Sequence, residues 1–377
     1  MKGIDIDWVK EHPWDLINAE KQTYEMCINA VGENGYLLKD VRWDEINLTK
    51  EQIYNLCLIA VKENGRALKY VKWNELEGEF LREQLDEICI EAVKQCGEAL
   101  KYVKNQIDEM CLIAVKQHEG YIFYVKNQTE ELCLIALKKN GLALEYIKNQ
   151  TENICIEAVR QNGYALRFVK TQNPEICVEA VKKNGLSLRF VKWDEFNLTK
   201  EQIYTLCIEA VRQNGYALKY VKWNKLKGKL SKKQLDEICI EAIKKDVLLL
   251  NSLEEKTESI CIEAVKKDIL SLKYIENQSD EICREALKRD KNAIKYIKNK
   301  NKYLKEFDIK YLEAQDGTSE VIAIKENGEW LFTIGEENNI TKDEFIYRIY
   351  NKGKGFDLRL GINVHRKVYI DFLEQFN

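Results

Sequence analysis

Apolar residues recur through most of the chain in a unit of 22 residues, and residues 129–150 show this unit clearly. The first half of the unit has apolar side chains spaced as on one face of an α-helix, namely Leu132, Cys133, Ala136 and Leu137. A shorter apolar stretch follows over residues 142–147. The pattern predicts a first helix, a tight turn and a second, short helix.

The ends of the unit carry residues that start and stop helices. Thr129 is placed to cap the first helix, and similar residues begin six of the eleven units: Thr23, Thr129, Thr151, Asn173, Thr257 and Ser279. The pair Asn140-Gly141 is typical of a helix that ends in a left-handed residue, so we expect a positive φ at Gly141. The last three units replace this glycine, and the preceding aspartate is expected to cap the second helix directly: Asp246, Asp268 and Asp290.

Such a unit is too small to bury its own apolar face, so it must pack on copies of itself. Eleven cysteine-bearing units run from about residue 23 to residue 302, and each has an alanine three residues after the cysteine. The segment before Thr23, with Trp8 and Trp14, is expected to cover the first unit. The predicted fold is therefore mostly α: an α-solenoid of about eleven 22-residue helix-turn-helix repeats over residues 1–302.

The recurring pattern Ile-Cys-x-x-Ala-Val-Lys-x-Asn-Gly-x-x-Leu-x-Tyr-Val-Lys resembles the short helical repeats of a bacterial and viral family, domain of unknown function 4116. The resemblance covers roughly residues 20–300. It implies a helical-repeat fold and no activity, because none is assigned to that family.

The spacing of the cysteines argues against disulfides and zinc. Eleven of the twelve occupy one position of successive units, and no Cys-x-x-Cys pair occurs. Equivalent positions on stacked helices lie roughly 8–10 Å apart, beyond the roughly 7 Å Cα limit for a disulfide. We expect these eleven to be small buried side chains. Cys96, which replaces the asparagine before a glycine, is expected to be the most exposed thiol.

After residue 302 the repeat stops and alternating apolar residues appear. Residues 309–315, 320–325 and 330–334 are predicted as strands, with turns at Asp316-Gly317 and Asn327-Gly328. Thr341 with Glu344 is a capping box that opens a helix through Tyr350. A further strand over 356–360 and a final helix complete the prediction of a small α+β domain over residues 303–377.

Two longer parts of the array are copies of each other. Residues 41–92 and 191–242 align at an offset of 150, with 37 of 52 positions identical. Each copy contains two inserts that begin with tryptophan: Trp43, Trp73, Trp193 and Trp223. Capping boxes are expected to lengthen the helix that follows the first insert of each copy, at Thr49 with Gln52 and Thr199 with Gln202.

The second insert reverses its charge between the two copies. The first copy has Glu75, Glu77 and Glu79 where the second has Lys225, Lys227 and Lys229. Further lysines flank the basic insert, among them Lys219 and Lys222. These inserts are either solvated loops in which charge drifts, or surfaces that meet opposite charges. In the second case they contact two patches of one large partner, or each other in a second copy of the chain.

The second helix repeats Lys-Tyr-Val-Lys and places a lysine and a ring in unit after unit. The final lysine recurs at Lys72, Lys104, Lys126, Lys148, Lys170, Lys192 and Lys222, and the ring at Tyr70, Tyr102, Tyr124, Tyr146, Phe168, Phe190 and Tyr220. A row of this kind binds a single strand when the lysines contact phosphates and the rings stack on bases. It equally fits rings packed in the seam between units and lysines that complement helix dipoles.

Composition removes several classes of function. The net charge of −3 argues against a globally basic nucleic-acid binder, and three histidines leave little room for histidine chemistry. The sequence contains no metal-ligand cluster, dinucleotide fingerprint or nucleophile elbow, so we predict no catalytic site, metal or cofactor. It also lacks an N-terminal apolar run and a stretch long enough to span a membrane, which predicts a cytoplasmic protein with no membrane partner.

A repeat array with charged, aromatic inserts is typical of a non-enzymatic protein that docks on a large protein partner. The bias towards Lys, Ile, Asn and Glu suggests an AT-rich bacterial or phage genome. By analogy with host–phage conflict proteins, we consider an anti-CRISPR-type inhibitor that occludes a nucleic-acid-guided nuclease. The alternative is a single-stranded RNA- or DNA-binding repeat protein, and an enzyme seated in residues 303–377 is a third hypothesis.

Overall fold

A computed structural model shows that the chain is mostly helical. The chain forms two compact units, Met1–Gln213 and Asn214–Asn377. The structure describes residues 4–76, 80–195, 197–226, 228–315, 318–335, 337–351, 356–357, 362–363 and 365–376. Within these residues the side chains of 75, 356–357 and 362–363 are not described.

The first unit contains α-helices that alternate with 3₁₀ helices. Its α-helices are α1 Ile6–Glu11, α2 Tyr24–Glu33, α3 Lys50–Glu63, α4 Trp73–Leu76, α5 Arg82–Gln95, α6 Asp108–Gln117, α7 Glu130–Lys139, α8 Glu152–Gln161, α9 Pro174–Lys183 and α10 Lys200–Gln213. Its 3₁₀ helices are Pro13–Asn18, Gly35–Asp40, Gly65–Tyr70, Gly97–Tyr102, Glu119–Tyr124, Gly141–Tyr146, Gly163–Phe168 and Gly185–Phe190.

The second unit continues the repeat and adds strands. Its α-helices are α11 Trp223–Leu226, α12 Lys232–Lys245, α13 Glu258–Lys267, α14 Asp280–Arg289, α15 Asn301–Leu304, α16 Lys342–Asn351 and α17 Arg366–Leu373. Its 3₁₀ helices are Gly215–Tyr220, Val247–Ser252, Ile269–Tyr274, Lys291–Tyr296 and Glu374–Phe376. Its strands are β1 Ile309–Leu312, β2 Val321–Glu326, β3 Glu329–Ile334, β4 Glu337–Ile340, β5 Phe356–Asp357 and β6 Ile362–Asn363.

Within each unit, successive cysteine-bearing helices pack on one another, and so do successive 3₁₀ helices. The alanine three residues after each cysteine is fully buried, as at Ala136, Ala158 and Ala264, which lets the helices approach closely. All eleven repeat cysteines are buried free thiols, and Cys96 is only partly buried. The predicted class of short helical repeats is confirmed, and the second helix of each repeat is a 3₁₀ helix.

The start of the chain covers the first repeat. Helix α1 and the 3₁₀ helix after it both contact α2. Val9 and Leu16 make the buried contacts, whereas Trp8 and Trp14 are largely exposed. The cap therefore depends on the aliphatic residues, and its tryptophans face solvent.

The prediction of a left-handed residue at Gly141 is wrong. Asn140 is extended, with φ of −152°, and its side-chain oxygen accepts a hydrogen bond from the amide of Leu142 at 3.0 Å. Positive φ occurs among the described glycines only at Gly228, Gly328 and Gly335. Glycine is required at 141 for a different reason: a Cβ there would lie 2.3 Å from the carbonyl oxygen of Ala158 in the next repeat.

The three aspartates of the last repeats cap the 3₁₀ helices as predicted. Asp246 accepts a hydrogen bond from the amide of Leu248 at 2.9 Å, and the equivalent bonds occur at Asp268 and Asp290. In the earlier repeats, the asparagine at this position accepts the equivalent hydrogen bond, as at Asn140 and Asn162. Replacement of asparagine by aspartate therefore preserves the cap.

A glutamine before many of the cysteine-bearing helices joins successive repeats. Nε2 of Gln172 donates to the carbonyl oxygens of Leu166 at 3.2 Å and Phe190 at 3.0 Å. Its Oε1 accepts from the amide of Lys192 at 2.9 Å and from the thiol of Cys177 at 3.6 Å. The three backbone bonds recur at Gln22, Gln106, Gln128, Gln150 and Gln278.

The inserts lengthen the helices that follow them. Helices α3, α5, α10 and α12 have 14 residues, whereas the other cysteine-bearing helices have 10. The predicted capping boxes are confirmed: the amide of Gln52 donates to Thr49 at 3.2 Å, and the same bond joins Gln202 to Thr199. The sequence analysis missed a third box, between Ser231 and Gln234.

The C-terminal strands form an antiparallel sheet in the order β1-β2-β3-β4, and α16 and α17 pack on its core residue Phe332. The turn at Asn327-Gly328 is confirmed, since both residues have positive φ; Asp316-Gly317 lies outside the described residues. Strand β4 was not predicted, because its sequence Glu-Asn-Asn-Ile is mostly polar. A domain boundary between residues 302 and 303 stays a prediction, since the last repeats and the sheet share the second unit.

Over the residues that the structure describes, no helix combines the length and the apolar character needed to cross a bilayer.

Candidate binding site at the tryptophan inserts

A cavity of about 550 Å³ opens beside Trp223 in the second unit. Its lining comes from the 3₁₀ helix Gly215–Tyr220, from Trp223 of α11, from α12, from the 3₁₀ helix Val247–Ser252 and the segment after it, and from α13. The apolar lining residues, called here the floor of the cavity, are Leu218, Trp223, Leu235, Cys239, Leu249, Leu253 and Ile260.

Charged groups surround this apolar floor. The ammonium groups of Lys219 and Lys232 and the carboxylates of Asp236, Glu254 and Glu255 all line the cavity. Lys232 and Glu255 form an exposed ion pair of 3.7 Å. The cavity can therefore hold an apolar group while charges of both signs contact whatever is attached to it.

Asp236 is held by two hydroxyl groups of the facing helix. Thr257 and Ser259 donate to its Oδ2 at 2.9 and 2.8 Å. The expectation that the Thr257 side chain caps α13 is therefore wrong, since it makes no capping hydrogen bond. Its hydroxyl donates to the carboxylate of Asp236 in a charge-assisted hydrogen bond.

A smaller cavity of about 290 Å³ occupies the equivalent place in the first unit, beside Trp73. It is lined by Trp73, Arg82, Leu85, Asp86, Cys89, Lys104 and Asn105. Every one of these positions, shifted by 150, also lines the larger cavity. The duplicated insert therefore builds the same kind of cavity twice, once in each unit.

An ion pair in the wall makes the first cavity tighter. Arg82 and Asp86 form an ion pair of 3.3 Å on the same helix. The corresponding Lys232 pairs instead with Glu255, at 3.7 Å. The Arg82 side chain therefore lies along the wall of its cavity, while in the second copy Asp236 bonds to hydroxyl groups instead.

A missing glutamine also opens the second cavity. Gln106 bonds to two carbonyl oxygens in the first copy, Leu100 at 3.2 Å and Tyr124 at 2.9 Å. The residue at the equivalent position of the second unit is Lys256, whose Nζ donates to one carbonyl oxygen, that of Tyr274, at 3.0 Å. The segment that walls the second cavity is thus tied to its neighbours by fewer bonds.

The cysteines at the floors of the two cavities are poor nucleophiles. Burial raises the pKa of Cys89 and that of Cys239 to about 12. The nearby carboxylate of Asp236 raises the pKa of Cys239 further. Both side chains are therefore neutral thiols at physiological pH and contribute apolar surface.

The structure brings part of the predicted basic site to the cavity. Lys219 and Trp223 both line it. Lys222 is exposed, Lys225 is half-buried on α11, and Lys229 is exposed in the turn that follows. Lys227 lies outside the described residues.

The predicted acidic insert is described only in part. Trp73 and the backbone of Glu75 belong to α4, whereas Glu77 and Glu79 lie outside the described residues. Trp43 and Trp193 are half-buried in turns, and neither lines the two cavities. The sequence analysis missed the cavity walls on α12 and after Ser252, although the offset of 150 pairs them with positions 82–89 and 104–105.

Four of the seven lysines of the proposed single-strand row contact backbone. Lys126 donates to the carbonyl oxygen of Lys104 at 2.7 Å, Lys170 to that of Lys148 at 2.6 Å, and Lys192 to that of Lys170 at 3.1 Å. Lys148 makes a longer bond to Val125, and Lys298 continues the arrangement in the second unit. Each ammonium group thus links two repeats.

Four of the seven rings of this row, Tyr70, Tyr102, Phe168 and Phe190, contact a cation from their own 3₁₀ helix. The guanidinium groups of Arg167 and Arg189 lie 4.4 Å from the ring centres of Phe168 and Phe190. Tyr164 packs edge-on against Phe190 in the neighbouring repeat. Packing between repeats and contacts with cations therefore account for these rings.

Among the described residues, no group of three or more His, Cys, Asp or Glu side chains is placed to hold a metal ion.

Three overlapping segments match the family described as Domain of unknown function (DUF4116): residues 129–172, 151–197 and 173–227. Residues 129–227 therefore carry DUF4116 repeats, which confirms the central part of the resemblance inferred over residues 20–300. No curated protein and no solved structure matches the chain at a significant level.

Proposed function

We propose that this chain, which carries DUF4116 repeats over residues 129–227, is a non-enzymatic scaffold that docks on a large protein partner. The observation that supports this function best is the pair of equivalent cavities beside Trp73 and Trp223. Each lies beside a half-buried tryptophan and has charged residues in its lining, and the lining of the Trp223 cavity is largely apolar.

Recesses of this kind suit protein interfaces. The residues that dominate binding energy are usually aromatic or arginine side chains seated in well-packed pockets and surrounded by polar groups. Trp223 and Trp73 supply the ring, and the charged residues around each cavity supply a polar rim. Because one cavity belongs to each unit, a partner that contacts both cavities contacts both units.

The alternative function, binding of single-stranded RNA or DNA along the lysine row, has weaker support. A lysine that contacts a phosphate must give up its present bond, and Lys126, Lys170 and Lys192 each donate to a backbone carbonyl of the preceding repeat. The exposed Lys219, Lys222 and Lys229 are better placed to contact a partner.

Four narrower expectations stay predictions. The first is that the protein inhibits a nucleic-acid-guided nuclease, and the second is that it is cytoplasmic. The others are that the DUF4116 repeats extend over residues 20–300 and that the chain self-associates through the oppositely charged inserts. Intact cleavage at saturating protein excludes inhibition of the nuclease that is assayed. A monomer that light scattering finds unchanged between low and high salt excludes the self-association.

Affinity capture from a lysate of the source cell, with and without nuclease treatment, tests the scaffold proposal. The wild-type chain, Trp73→Ala, Trp223→Ala and the double variant are compared, with Trp14→Ala as an exposed control. We expect a stoichiometric protein partner that remains bound after nuclease treatment. Its capture should fall more with the double variant than with either single variant. Loss of every partner after nuclease, or equal capture by the double variant, contradicts the proposal.

A further inference from the structure

We infer that the cavity beside Trp223 binds an acidic peptide segment that inserts one bulky apolar side chain. This inference rests on the proposed function, because it names the kind of segment that a protein partner would present at this site. It concerns the second unit alone, and it distinguishes the Trp223 cavity from the Trp73 cavity.

The size and lining of the cavity select an apolar side chain. A volume of about 550 Å³ falls within the range of roughly 300–1,000 Å³ that is usual for ligand pockets. Its floor includes Leu235, Ile260, the neutral thiol of Cys239 and the Trp223 ring. An aromatic or large aliphatic side chain would bury its surface there without leaving a polar group unpaired.

The charge around Trp223 selects an acidic chain. Lys219 lines the cavity, Lys222 is exposed directly before the tryptophan, and Lys225 and Lys229 follow it. The sequence from Lys219 to Lys233 contains seven lysines and no acid. Carboxylates next to an inserted apolar residue would therefore meet the ammonium group of Lys219 at the cavity and those of the lysines that flank Trp223 in the sequence.

The acidic residues that line the cavity favour a peptide over a nucleic acid. Glu254 and Glu255 are exposed, and Asp236 also lines the cavity. These carboxylates can accept hydrogen bonds from the amide groups of an extended peptide, whereas a phosphate backbone has no such donors. The largely apolar floor also offers few partners to the polar edges of a base.

The duplicated insert provides a matched control within the same chain. Trp73 occupies the equivalent position beside a smaller cavity, and glutamates replace the lysines after it. A peptide that needs both the larger recess and the basic border should therefore depend on Trp223 and not on Trp73. Circular dichroism of both variants shows whether each remains folded.

Selection of random dodecapeptides displayed on phage against the immobilised full-length chain tests the inference. We expect enriched peptides to carry net negative charge and one aromatic or large aliphatic residue. Their affinity should fall roughly tenfold or more with Trp223→Ala and with Lys219→Glu plus Lys222→Glu, and remain unchanged with Trp73→Ala. Replacing the apolar residue of the peptide by alanine should cause a similar loss.

The lysine variant keeps the test decisive if Trp223→Ala fails to fold, because both lysines are exposed. Basic or neutral enriched peptides, an absence of enrichment, or acidic peptides held equally by the lysine variant would overturn the inference. Oligothymidylate that outcompetes the best peptide assigns the site to nucleic acid instead. A captured protein partner that needs Trp73 alone leaves the scaffold proposal standing while this inference fails.

Discussion

Oε1 of Gln172 accepts a hydrogen bond from the backbone amide of Lys192 at 2.9 Å, twenty residues later in the next repeat. The same side chain donates to two carbonyl oxygens, so a single amide satisfies three backbone groups across the junction. The repeats are thus joined by a row of side-chain amides as well as by their apolar faces.

Replacing Gln172 with alanine should lower the free energy of unfolding by about 2–4 kcal/mol, because the change leaves three backbone groups without their partner in a buried site. Chemical denaturation followed by circular dichroism measures the loss. Thr171→Ala, at an exposed neighbouring position, is the control and should change little. A Gln172 variant as stable as this control contradicts the role assigned to the amide.

Gly141→Ala should destabilise the chain by about 3 kcal/mol, since the added Cβ would lie 2.3 Å from the Ala158 carbonyl oxygen and force the repeats apart. Gly32 offers the opposite case, because it is helical and has nothing within 4 Å of an added Cβ. Gly32→Ala should stabilise by about 0.5–1 kcal/mol. Thermal unfolding of both variants measures the difference, and equal effects contradict the close approach at Gly141.

The buried thiols should make the chain unstable in alkali. Burial raises the pKa of Cys177 to about 12, so the unfolded chain loses this proton first as the pH rises above 9. The stability contributed by the neutral thiol is therefore complete below pH 9 and declines from there towards pH 12. Near pH 10, each such thiol lowers the free energy of unfolding by about 1 kcal/mol relative to its value below pH 9.

Urea titrations between pH 8 and pH 10 measure this decline. Cys177→Ala should show a shallower dependence on pH than the wild type, because it has one fewer buried thiol. At neutral pH, a thiol reagent should modify Cys96 first and the remaining eleven only on unfolding. Rapid labelling of several cysteines in the folded chain contradicts the burial.

Changing Lys222, Lys225, Lys227 and Lys229 together to glutamate should leave the affinity for single-stranded RNA and DNA unaltered. The physical reason is that the carboxylates of Glu254 and Glu255, which line the cavity beside Trp223, disfavour a phosphate backbone there. Fluorescence anisotropy with labelled oligonucleotides at two salt concentrations checks this. A steep loss of affinity in the variant, together with strong salt dependence in the wild type, restores the nucleic-acid alternative.

Local signals in the sequence were sufficient to predict the repeat. The helical stripe around Cys133, the alanine that follows it and the capping boxes at Thr49 and Thr199 each reflect contacts within one repeat or its immediate neighbour. Periodicity detects such contacts because every copy must satisfy the same packing.

The parts that sequence analysis missed depend on contacts between repeats. The sequence analysis missed the role of Gln172, because its partners lie 6, 18 and 20 positions away. Gly141 was assigned a left-handed backbone because the neighbour that needs its missing Cβ belongs to the next repeat. The cavity beside Trp223 was missed because its lining residues come from several elements between Tyr216 and Ile260.

Hydrogen–deuterium exchange of the chain, free and in complex with its captured protein partner, tests the central claim most directly. The account predicts slower exchange in the segments around Trp73 and Trp223 and in the wall after Ser252, with little change along the 3₁₀ helices of the repeats between them. Protection that instead follows Lys126, Lys148, Lys170 and Lys192 while the tryptophan inserts exchange freely would contradict it.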